Sequence, residues 1–356
     1  MAAPRSTGHA SASRSLARAS SPVRPEVTEV TPAIDPLSEV LQVVRLTGAV
    51  YFDVTATAPW SAEAPAADVV APYVARGADQ VIEFHVVAEG TCWARMAGEA
   101  PVRLEAGDVI VFPQGDAHVL SSDPTIAGAG VDLDDYRVPL SRLPIAFRPG
   151  PPGAADVHVI CGFLTCDRRP FNPLMRSLPR MLHDGARHGH AEDRAWIARF
   201  IQHAVEESAR ARPGGQIILN KLSELMFLDV VRRHLAALPP ERTGWLAALR
   251  DPLAGRAIGL LHDRPSHPWT VEELARAAGA SRSALAERFT ATVGLPPMQY
   301  LAQWRIQIAA GLLTGGHAGI AEIAAQIGYE SEAAFHRAFK KAVGMAPGAW
   351  RRRHAG

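Results

Sequence analysis

The chain has 356 residues, of which 47% are hydrophobic and 21% charged, a composition that excludes wholesale disorder and fibrous architecture and predicts two or three globular domains. It has no apolar run long enough to cross a membrane and no apolar segment behind the N-terminal arginines, so we expect neither membrane insertion nor secretion, and a cytoplasmic location. The net charge of +1 conceals a basic C-terminal third, because residues 245–356 hold 13 Lys and Arg against 8 Asp and Glu, which favours a polyanion-binding domain.

The N-terminal half predicts a polar tail followed by a β-rich domain. Residues 1–34 carry serines and arginines without apolar periodicity, so we expect a disordered tail. The composition matches an organellar transit peptide, and an extended or misassigned translation start is the explanation that we favour. Over residues 35–180, β-branched and aromatic runs alternate with Gly, Pro and Asp clusters, which predicts strands and turns.

The cysteines are too few for a disulfide framework, which agrees with a reducing compartment. Arg168 and Arg169 follow Cys166 closely, and their positive charge would favour a thiolate there. An oxidation-sensing role for Cys166 is therefore one alternative, and inert packing is the other.

Beyond residue 180 the apolar period becomes that of helices. Apolar residues recur at i, i+3 and i+4 on both sides of Pro213, which predicts a helical hairpin over residues 181–240. The second helix, predicted from Ile217 to Leu238, is apolar around most of its circumference, so we expect it to pack on the β-rich domain, on a second subunit, or on both. We therefore predict a homodimer with Leu222 and Met226 in the interface.

Residues 241–250 predict a linker to the C-terminal domain. Thr243 and Gly244 favour a hinge. Trp245 and Leu246 then offer an apolar handle, which either couples the two domains or packs onto the first helix of the C-terminal domain.

From Trp269 onward the sequence repeats itself at an offset of 50 residues. The identical pairs are Glu272 and Glu322, Ala275 and Ala325, Ser281 and Ser331, Phe289 and Phe339, Val293 and Val343, Gly294 and Gly344, and Pro297 and Pro347. Each copy predicts a short helix, a tight turn, a serine N-cap and a second helix, which together form a helix-turn-helix. A helix from Pro297 to Leu313 separates the copies, and two such units on one rigid frame can enter successive major grooves of DNA.

Three passages of the repeat region carry a family signature. They are Ser-x3-Leu-x3-Phe from Ser281 to Phe289, Gly-x2-Pro-x2-Tyr-Leu beginning at Gly294, and an Ile-Gly-Tyr run ending at Tyr329. The C-terminal part resembles the DNA-binding domain of AraC-type transcription regulators. The resemblance implies an all-α tandem helix-turn-helix domain over residues 251–356 that binds double-stranded promoter DNA.

The same resemblance implies base-reading positions on the second helix of each unit. These positions are Arg282, Ser283, Ala286 and Glu287 in the first unit, and Ala333, Ala334, His336 and Arg337 in the second. Alanine makes no hydrogen bond to a base, so readout by the second unit would depend on Arg337, whose guanidinium fits guanine N7 and O6. Six other basic residues are assigned to phosphate, with solubilising surface charge as the alternative: Arg288, Lys340, Lys341, Arg351, Arg352 and Arg353.

A Gly-x5-Pro-x-Gly-x2-His pattern runs from Gly107 to His118. It fits the second signature of the cupin barrel, and the β-rich part resembles the cupin-like sensor domain that precedes some AraC-type DNA-binding domains. The resemblance implies a β-barrel over residues 35–180. Of the first cupin signature only His85 and Glu89 are present, so the metal set of a cupin enzyme is incomplete.

A different metal site is predicted from the strand around His85. If residues 89–90 form a two-residue hairpin turn, strand alternation places Glu83, His85 and Cys92 on one face. With His118, His85 and Cys92 would supply two imidazole nitrogens and a thiolate, a set suited to zinc or another divalent metal. Ordinary core packing is the alternative.

The predicted architecture is α+β with two domains, a cupin-like β-barrel with a helical hairpin followed by the tandem helix-turn-helix domain. We interpret the chain as a one-component transcription regulator without enzymatic activity, which binds promoter DNA as a homodimer, responds to a small-molecule or redox effector, and contacts RNA polymerase if it is an activator. Two alternatives stay open: a cupin-type metal-dependent enzyme tethered to DNA, and a constitutive DNA binder with a vestigial sensor.

Overall fold

The strands of the β-rich part form one curled sheet. The computed structural model describes residues 35–44, 46–75, 80–137, 143–166, 170–185, 191–210, 212–239 and 242–354, so the tail predicted over residues 1–34 lies outside the described part, as do Arg168 and Arg169. The described strands are β1 Thr47–Ala56, β2 Ser61–Ala64, β3 Gln80–Met96, β4 Val102–Glu105, β5 Val109–Phe112, β6 His118–Ser121, β7 Ile145–Phe147, β8 Val157–Cys166 and β9 Leu182–Asp184. The main strand order is β2-β6-β3-β8-β1-β7, with β4 and β5 also paired to β3 and β9 paired to β5. The sheet is a half-barrel, which confirms the cupin-like fold class.

Strand β3 is 17 residues long and changes neighbours along its length. From Gln80 to Gly90 it pairs with β8, and from Thr91 onward it pairs with β4 and β6. The predicted hairpin turn at residues 89–90 is therefore wrong, because the strand continues through Gly90. Gly90 has φ of +77°, and a Cβ atom there would lie 1.9 Å from the carbonyl oxygen of Asp156, so only glycine permits this close approach.

Both faces of β3 are buried between Gln80 and Val87. The side chains of Ile82, Phe84 and Val86 point out of the curl and join a core formed with the helices. The alternate side chains point into the curl, where Val81 and Val87 join a second core. One short segment of backbone is thus fixed from both sides.

Three short helices accompany the sheet, and a helical hairpin covers its outer face. The short helices are α1 Pro36–Val44, α2 Ala67–Val74 and α3 Pro173–Ser177, and the hairpin consists of α4 Ala191–Arg210 and α5 Gly215–Ala237. Met226 is wholly buried within the subunit, so the prediction that it lies in a subunit interface is wrong. Ile217, Ile218 and Leu225 are the large apolar residues of α5 that are exposed, at 66%, 46% and 50%. None of the helices in the described part is long and apolar enough to span a membrane.

The C-terminal part is all-α, and it contains the two helix-turn-helix units at the predicted positions. Its helices are α6 Trp245–Arg250, α7 Pro252–Asp263, α8 Val271–Ala277, α9 Arg282–Val293, α10 Pro297–Gly315, α11 Ile320–Gln326, α12 Glu332–Val343 and α13 Pro347–His354. Helices α8 and α9 form the first unit, and α11 and α12 form the second. Helix α10 joins the units and, at 19 residues, is about 28 Å long.

The segment predicted as a linker is largely a packed helix. Trp245 at the start of α6 is buried, and its Nε1 donates a hydrogen bond of 2.8 Å to Tyr300 Oη on α10. Residues 245–250 are therefore not a flexible connection, and Trp245 belongs to the packing of the first unit. Gly244, with φ of +113°, is the turn at which the chain enters α6.

One continuous core joins the outer face of the sheet, the hairpin and the first helix-turn-helix unit. It runs from Phe84 on β3 through Phe227 on α5 to Phe289 on α9. A backbone contact strengthens this junction, since the N–H of Phe171 donates to Gln307 Oε1 on α10 at 2.9 Å. The second unit instead has its own core, which includes Phe335 and Phe339.

We expect the substitution Trp245→Ala to lower the free energy of unfolding of the full chain by about 3–5 kcal/mol, because it leaves a large cavity in this core. Trp245→Phe keeps most of the volume but loses the hydrogen bond to Tyr300, so its cost should be about 1 kcal/mol. Urea denaturation measures both values. If Trp245→Ala left the free energy of unfolding unchanged, the packing role of Trp245 would be excluded. Coupling of the two domains would then be the remaining alternative.

Candidate functional site

The second helices of the two units, α9 and α12, begin and end in the same way. Ser281 Oγ accepts the N–H of Ala284 at 3.2 Å, and Ser331 Oγ accepts the N–H of Ala334 at 3.2 Å. Each helix ends at a left-handed glycine, Gly294 or Gly344. These caps fix the start of each helix, where a recognition helix contacts base edges.

Each second helix turns two aromatic or aliphatic residues inward and leaves a polar face outward. The inward pairs, Leu285 with Phe289 and Phe335 with Phe339, are fully buried. Among the predicted base-reading residues, the exposed ones are Arg282, Ser283, Glu287, Ala333 and Arg337, and the half-buried ones are Ala286, Ala334 and His336. All eight residues lie on or beside the outward face of their helix, so each of them is accessible to DNA.

The outward faces of the two units differ in charge. Arg337 forms no ion pair with any residue in the described ranges, whereas His336 lies 3.5 Å from Glu332. The position of Arg337 corresponds to that of Glu287 in the first unit, at the offset of the repeat. A carboxylate can accept a hydrogen bond from cytosine N4, and a guanidinium fits guanine, so the two faces suit different bases.

The arginines and lysines assigned to phosphate divide into engaged and free groups. Arg288 is engaged, because its Nε and Nη2 both lie 2.6 Å from Asp251 Oδ2. Arg351 is engaged too, since its Nη2 donates to the carbonyl of Ala318 at 2.6 Å. Lys340, Lys341, Arg352 and Arg353 are exposed and form no ion pair with any described residue, whereas Arg288 is exposed but paired. Those four are best placed to meet a phosphate backbone.

A second candidate site lies inside the curl of the sheet. It is a cavity of about 50 Å³, enough for a few water-sized groups. Its wall is mostly aromatic and aliphatic and includes Phe52, Trp60, Tyr136, Phe147 and Phe163. Two polar residues of β3, Glu83 and His85, also line it.

Glu83, His85 and His118 form a buried cluster at this cavity, which we call the barrel cluster. Their candidate ligand atoms all lie within 4.8 Å of one another. The two Nε2 atoms of the histidines are 2.6 Å apart, and His118 Nε2 is 3.8 Å from Glu83 Oε2. His118 is held by stacking on Phe112, with ring centroids 3.6 Å apart, and by its Nδ1, which donates to the carbonyl of Asp116 at 2.8 Å.

Burial keeps the barrel cluster uncharged at neutral pH. It raises the pKa of Glu83 to about 8 and lowers the pKa of His118 to about 4, and burial together with the nearby His118 lowers the pKa of His85. The contact between Glu83 and His118 is therefore not an ion pair at pH 7. Glu83 Oε1 and His85 Nδ1 are buried without a hydrogen-bond partner among the residues that the structure describes, which is costly unless a ligand satisfies them.

The structure corrects one member of the predicted metal-ligand set, because Glu83 takes the place of Cys92 beside the two histidines. Within the described residues Cys92 does not belong to the cluster, because β3 does not fold back at residues 89–90 and Glu83 stands with the two histidines instead. Burial, with the nearby Asp108, also raises the pKa of Cys92 to about 12, which disfavours a thiolate. The signal for Glu83 was its position two residues before His85, on the same face of one strand.

Comparisons with known proteins agree with both halves of the chain. A family model described as "Cupin" matches residues 35–236, and a model described as "Helix-turn-helix domain" matches residues 274–353. A protein of Streptomyces lividans described as an AraC-like transcription regulator is 34% identical over 321 residues, which cover 90% of this chain and 98% of that protein.

Two further relatives are similar over different lengths. The HTH-type transcriptional regulator AlkR of Acinetobacter baylyi is 27% identical over 320 residues, covering 88% of this chain and 98% of that protein. The solved DNA-binding domain of AdpA in complex with a target DNA is 30% identical, covers 29% of this chain and 91% of that chain, and has a TM-score of 0.28.

The cupin model spans more than half of the chain, and the Streptomyces relative matches it nearly end to end. With the tandem units and their outward polar faces in place, the chain belongs to the AraC-like family of DNA-binding transcription regulators, with a cupin-type N-terminal part.

Proposed function

We propose that this regulator binds promoter DNA through both helix-turn-helix units and that a ligand in the barrel cluster sets its DNA affinity. The observation that carries the proposal is the two-sided burial of β3. Glu83 and His85 offer orphaned polar atoms to the cavity on one face, while Phe84 between them packs in the core that contains the first unit. A ligand that moves the inner side chains must also move the outer ones.

The barrel cluster fits a divalent metal ion better than a bulky organic molecule. A carboxylate and two imidazoles are ligands that zinc accepts, and His118 already has the outer hydrogen bond from Nδ1 to a carbonyl that orients metal-binding histidines. The cavity of about 50 Å³ has room for an ion and a water, but not for a drug-sized ligand. A bound cation would supply a positive charge that replaces the proton of Glu83.

Redox sensing has less support than metal binding. Cys92 and Cys161 are buried, and burial raises the pKa of both thiols, so neither is activated as a thiolate. Cys166 is also buried, and its predicted activating arginines lie outside the described residues.

The remaining partners follow from this function. The relatives are described as transcription regulators, and we propose that the chain has no catalytic activity and acts in the cytoplasm, where promoter DNA is found. Contact with RNA polymerase would accompany activation but not repression.

We also propose a homodimer formed through α5. Ile218, Leu222 and Leu225 recur at i, i+4 and i+7, which places them on one side of the helix. Ile218 and Leu225 are exposed and Leu222 is half-buried, so this side carries apolar surface that the subunit does not cover. A second copy of α5 is the occupant we propose.

For DNA recognition, Arg337→Ala should weaken binding to the operator by about 1–3 kcal/mol and relax the preference at one base pair, because a bidentate guanine contact is lost. The operator is first selected from a random library, and binding is then measured by fluorescence anisotropy. Lys341→Ala is the control, which should weaken operator and random DNA alike and reduce the salt slope by about 1. Equal losses on both DNAs for Arg337→Ala would exclude base reading by Arg337.

For the barrel cluster, zinc added to chelator-treated protein should raise the melting temperature and remain bound after gel filtration, because binding favours the folded state. Glu83→Gln and His118→Gln should abolish both effects, whereas Cys92→Ala should keep them. Metal analysis and differential scanning fluorimetry provide the readouts. Loss of zinc binding in Cys92→Ala would support the ligand set predicted from the sequence, which includes the Cys92 thiolate. If the wild type bound no zinc, the proposal of a metal site would be wrong.

For the dimer, Ile218→Asp and Leu225→Asp should shift the protein toward monomer, because each places a charge in an apolar interface. Val69→Asp is the matched control, since Val69 is an exposed apolar residue at 42% on α2. Light scattering with analytical ultracentrifugation gives the oligomeric state. A wild type that is monomeric at micromolar concentration would exclude the α5 interface.

A further inference from the structure

We propose that this regulator binds a small polyanionic metabolite, a phosphate ester or a polycarboxylate, in a cavity between the end of α5 and the start of the DNA-binding part. The cavity measures about 350 Å³, seven times the barrel cavity, and its size is that of a small-molecule pocket. Its polar lining consists of Arg242, Thr243, Arg250, Asp251, Arg288 and Thr292. We call it the arginine cavity.

Three guanidinium groups line the arginine cavity, and each has donors that make no hydrogen bond with a described residue. Arg250 uses only Nη1, which donates to the carbonyls of Leu235, Ala236 and Leu238 at the end of α5. Its Nε and Nη2 form no hydrogen bond with residues of the described ranges. Arg288 uses Nε and Nη2 on one oxygen of Asp251, which leaves Nη1.

Arg242 lacks an internal counter-ion within the part of the chain that the structure describes. Arg242 lies near α5, where the pKa of His234 is lowered mainly by burial and also by the positive charge of Arg242. An unpaired guanidinium at the wall of a cavity can bind an oxyanion in a bidentate manner. Arg242 is therefore the residue most available to a ligand.

The carboxylate of Asp251 offsets only one of the three guanidinium charges of the arginine cavity, that of Arg288. Its Oδ1 accepts the N–H groups of Leu253 and Ala254 at the start of α7, and its Oδ2 accepts Arg288. Asp251 is 9% exposed, and both of its carboxylate oxygens already accept hydrogen bonds from the protein. Among the described lining residues, three positive groups face one negative group, an excess that favours an anion with two or more charges.

A free anion fits this geometry better than the DNA backbone. Arg288 follows the outward residue Glu287 by one position, which is about 100° around α9, and it faces Asp251 instead of the reading surface. The repeat places Ala338 at the corresponding position of the second unit. A phosphate contact inherent to the helix-turn-helix would be expected in both units, whereas this arginine occurs only where the unit meets α5.

The position of the arginine cavity gives its ligand a regulatory consequence. Arg250 anchors α6 to the end of α5, and Arg288 lies on α9, which carries the base-reading residues of the first unit. An anion that bridges these arginines would fix the orientation of α9 relative to α5. The site is separate from the barrel cluster, so the regulator would accept two ligands.

The test uses the full-length, chelator-treated chain without DNA, and inorganic pyrophosphate and citrate as probes at constant ionic strength. Isothermal titration calorimetry should detect binding of one or both probes. Arg242→Gln should weaken that binding by about tenfold or more, because a charge-assisted contact is lost. Arg199→Gln, the same change at an exposed arginine of α4, is the control and should bind as the wild type does.

Three results would overturn the proposal. The first is absence of heat with both probes in the millimolar range. The second is equal affinity in Arg242→Gln and Arg199→Gln. The third is that Arg242→Gln weakens operator binding in buffer without either probe and lowers its salt dependence, since the arginine would then contact the DNA backbone. Zinc binding by Arg242→Gln should equal that of the wild type, which separates this test from the barrel proposal.

Discussion

The burial of β3 on both faces is the constraint on which the rest of the structure depends. Between Gln80 and Val87 no side chain of this strand reaches solvent to any large extent, so neither face can shift without repacking the other. The inner face presents Glu83 and His85 to a small cavity, and the outer face is continuous with the helices. The ligand signal that we propose for the barrel cluster would pass through this shared, closely packed strand.

The outer core makes the two helix-turn-helix units unequal. The first unit shares its apolar interior with the sheet and the hairpin, and Trp245, Tyr300 and His262 tie α6, α7 and α10 together through hydrogen bonds of 2.8 Å. The second unit has a separate core and is held at the far end of α10. The first unit is therefore joined directly to the sheet and the hairpin, whereas the second unit is joined to the first through α10 and through Gly328, which lies close to the backbone of Ser266.

Charge is distributed according to the same division. The arginines at the junction, Arg250 and Arg288, are tied to α5 and α7, and they hold the sensor and the first unit in register. Exposed arginines and lysines without an ion pair among the described residues occur in both units and in α13, and they include Arg282, Arg337 and Lys341. Lys340, Lys341, Arg352 and Arg353 add positive charge to the second unit and α13, whereas the outward face of the first unit combines Arg282 with Glu287.

The sequence by itself determined the elements that depend on local patterns. The offset of 50 residues, the serine caps and the inward pairs located both helix-turn-helix units, because capping and helical periodicity are read within a few residues. The Gly-x5-Pro-x-Gly-x2-His pattern located His118 and the cupin-like sheet. Tertiary structure alone decided which partners meet across long distances. Strand β3 passes through Gly90 because β8 lies beside it, so Glu83 replaces Cys92 beside the histidines. Likewise Arg288 turns to Asp251, Met226 enters the core and Trp245 packs on Tyr300, because these contacts join residues far apart in the chain, where no local pattern records them.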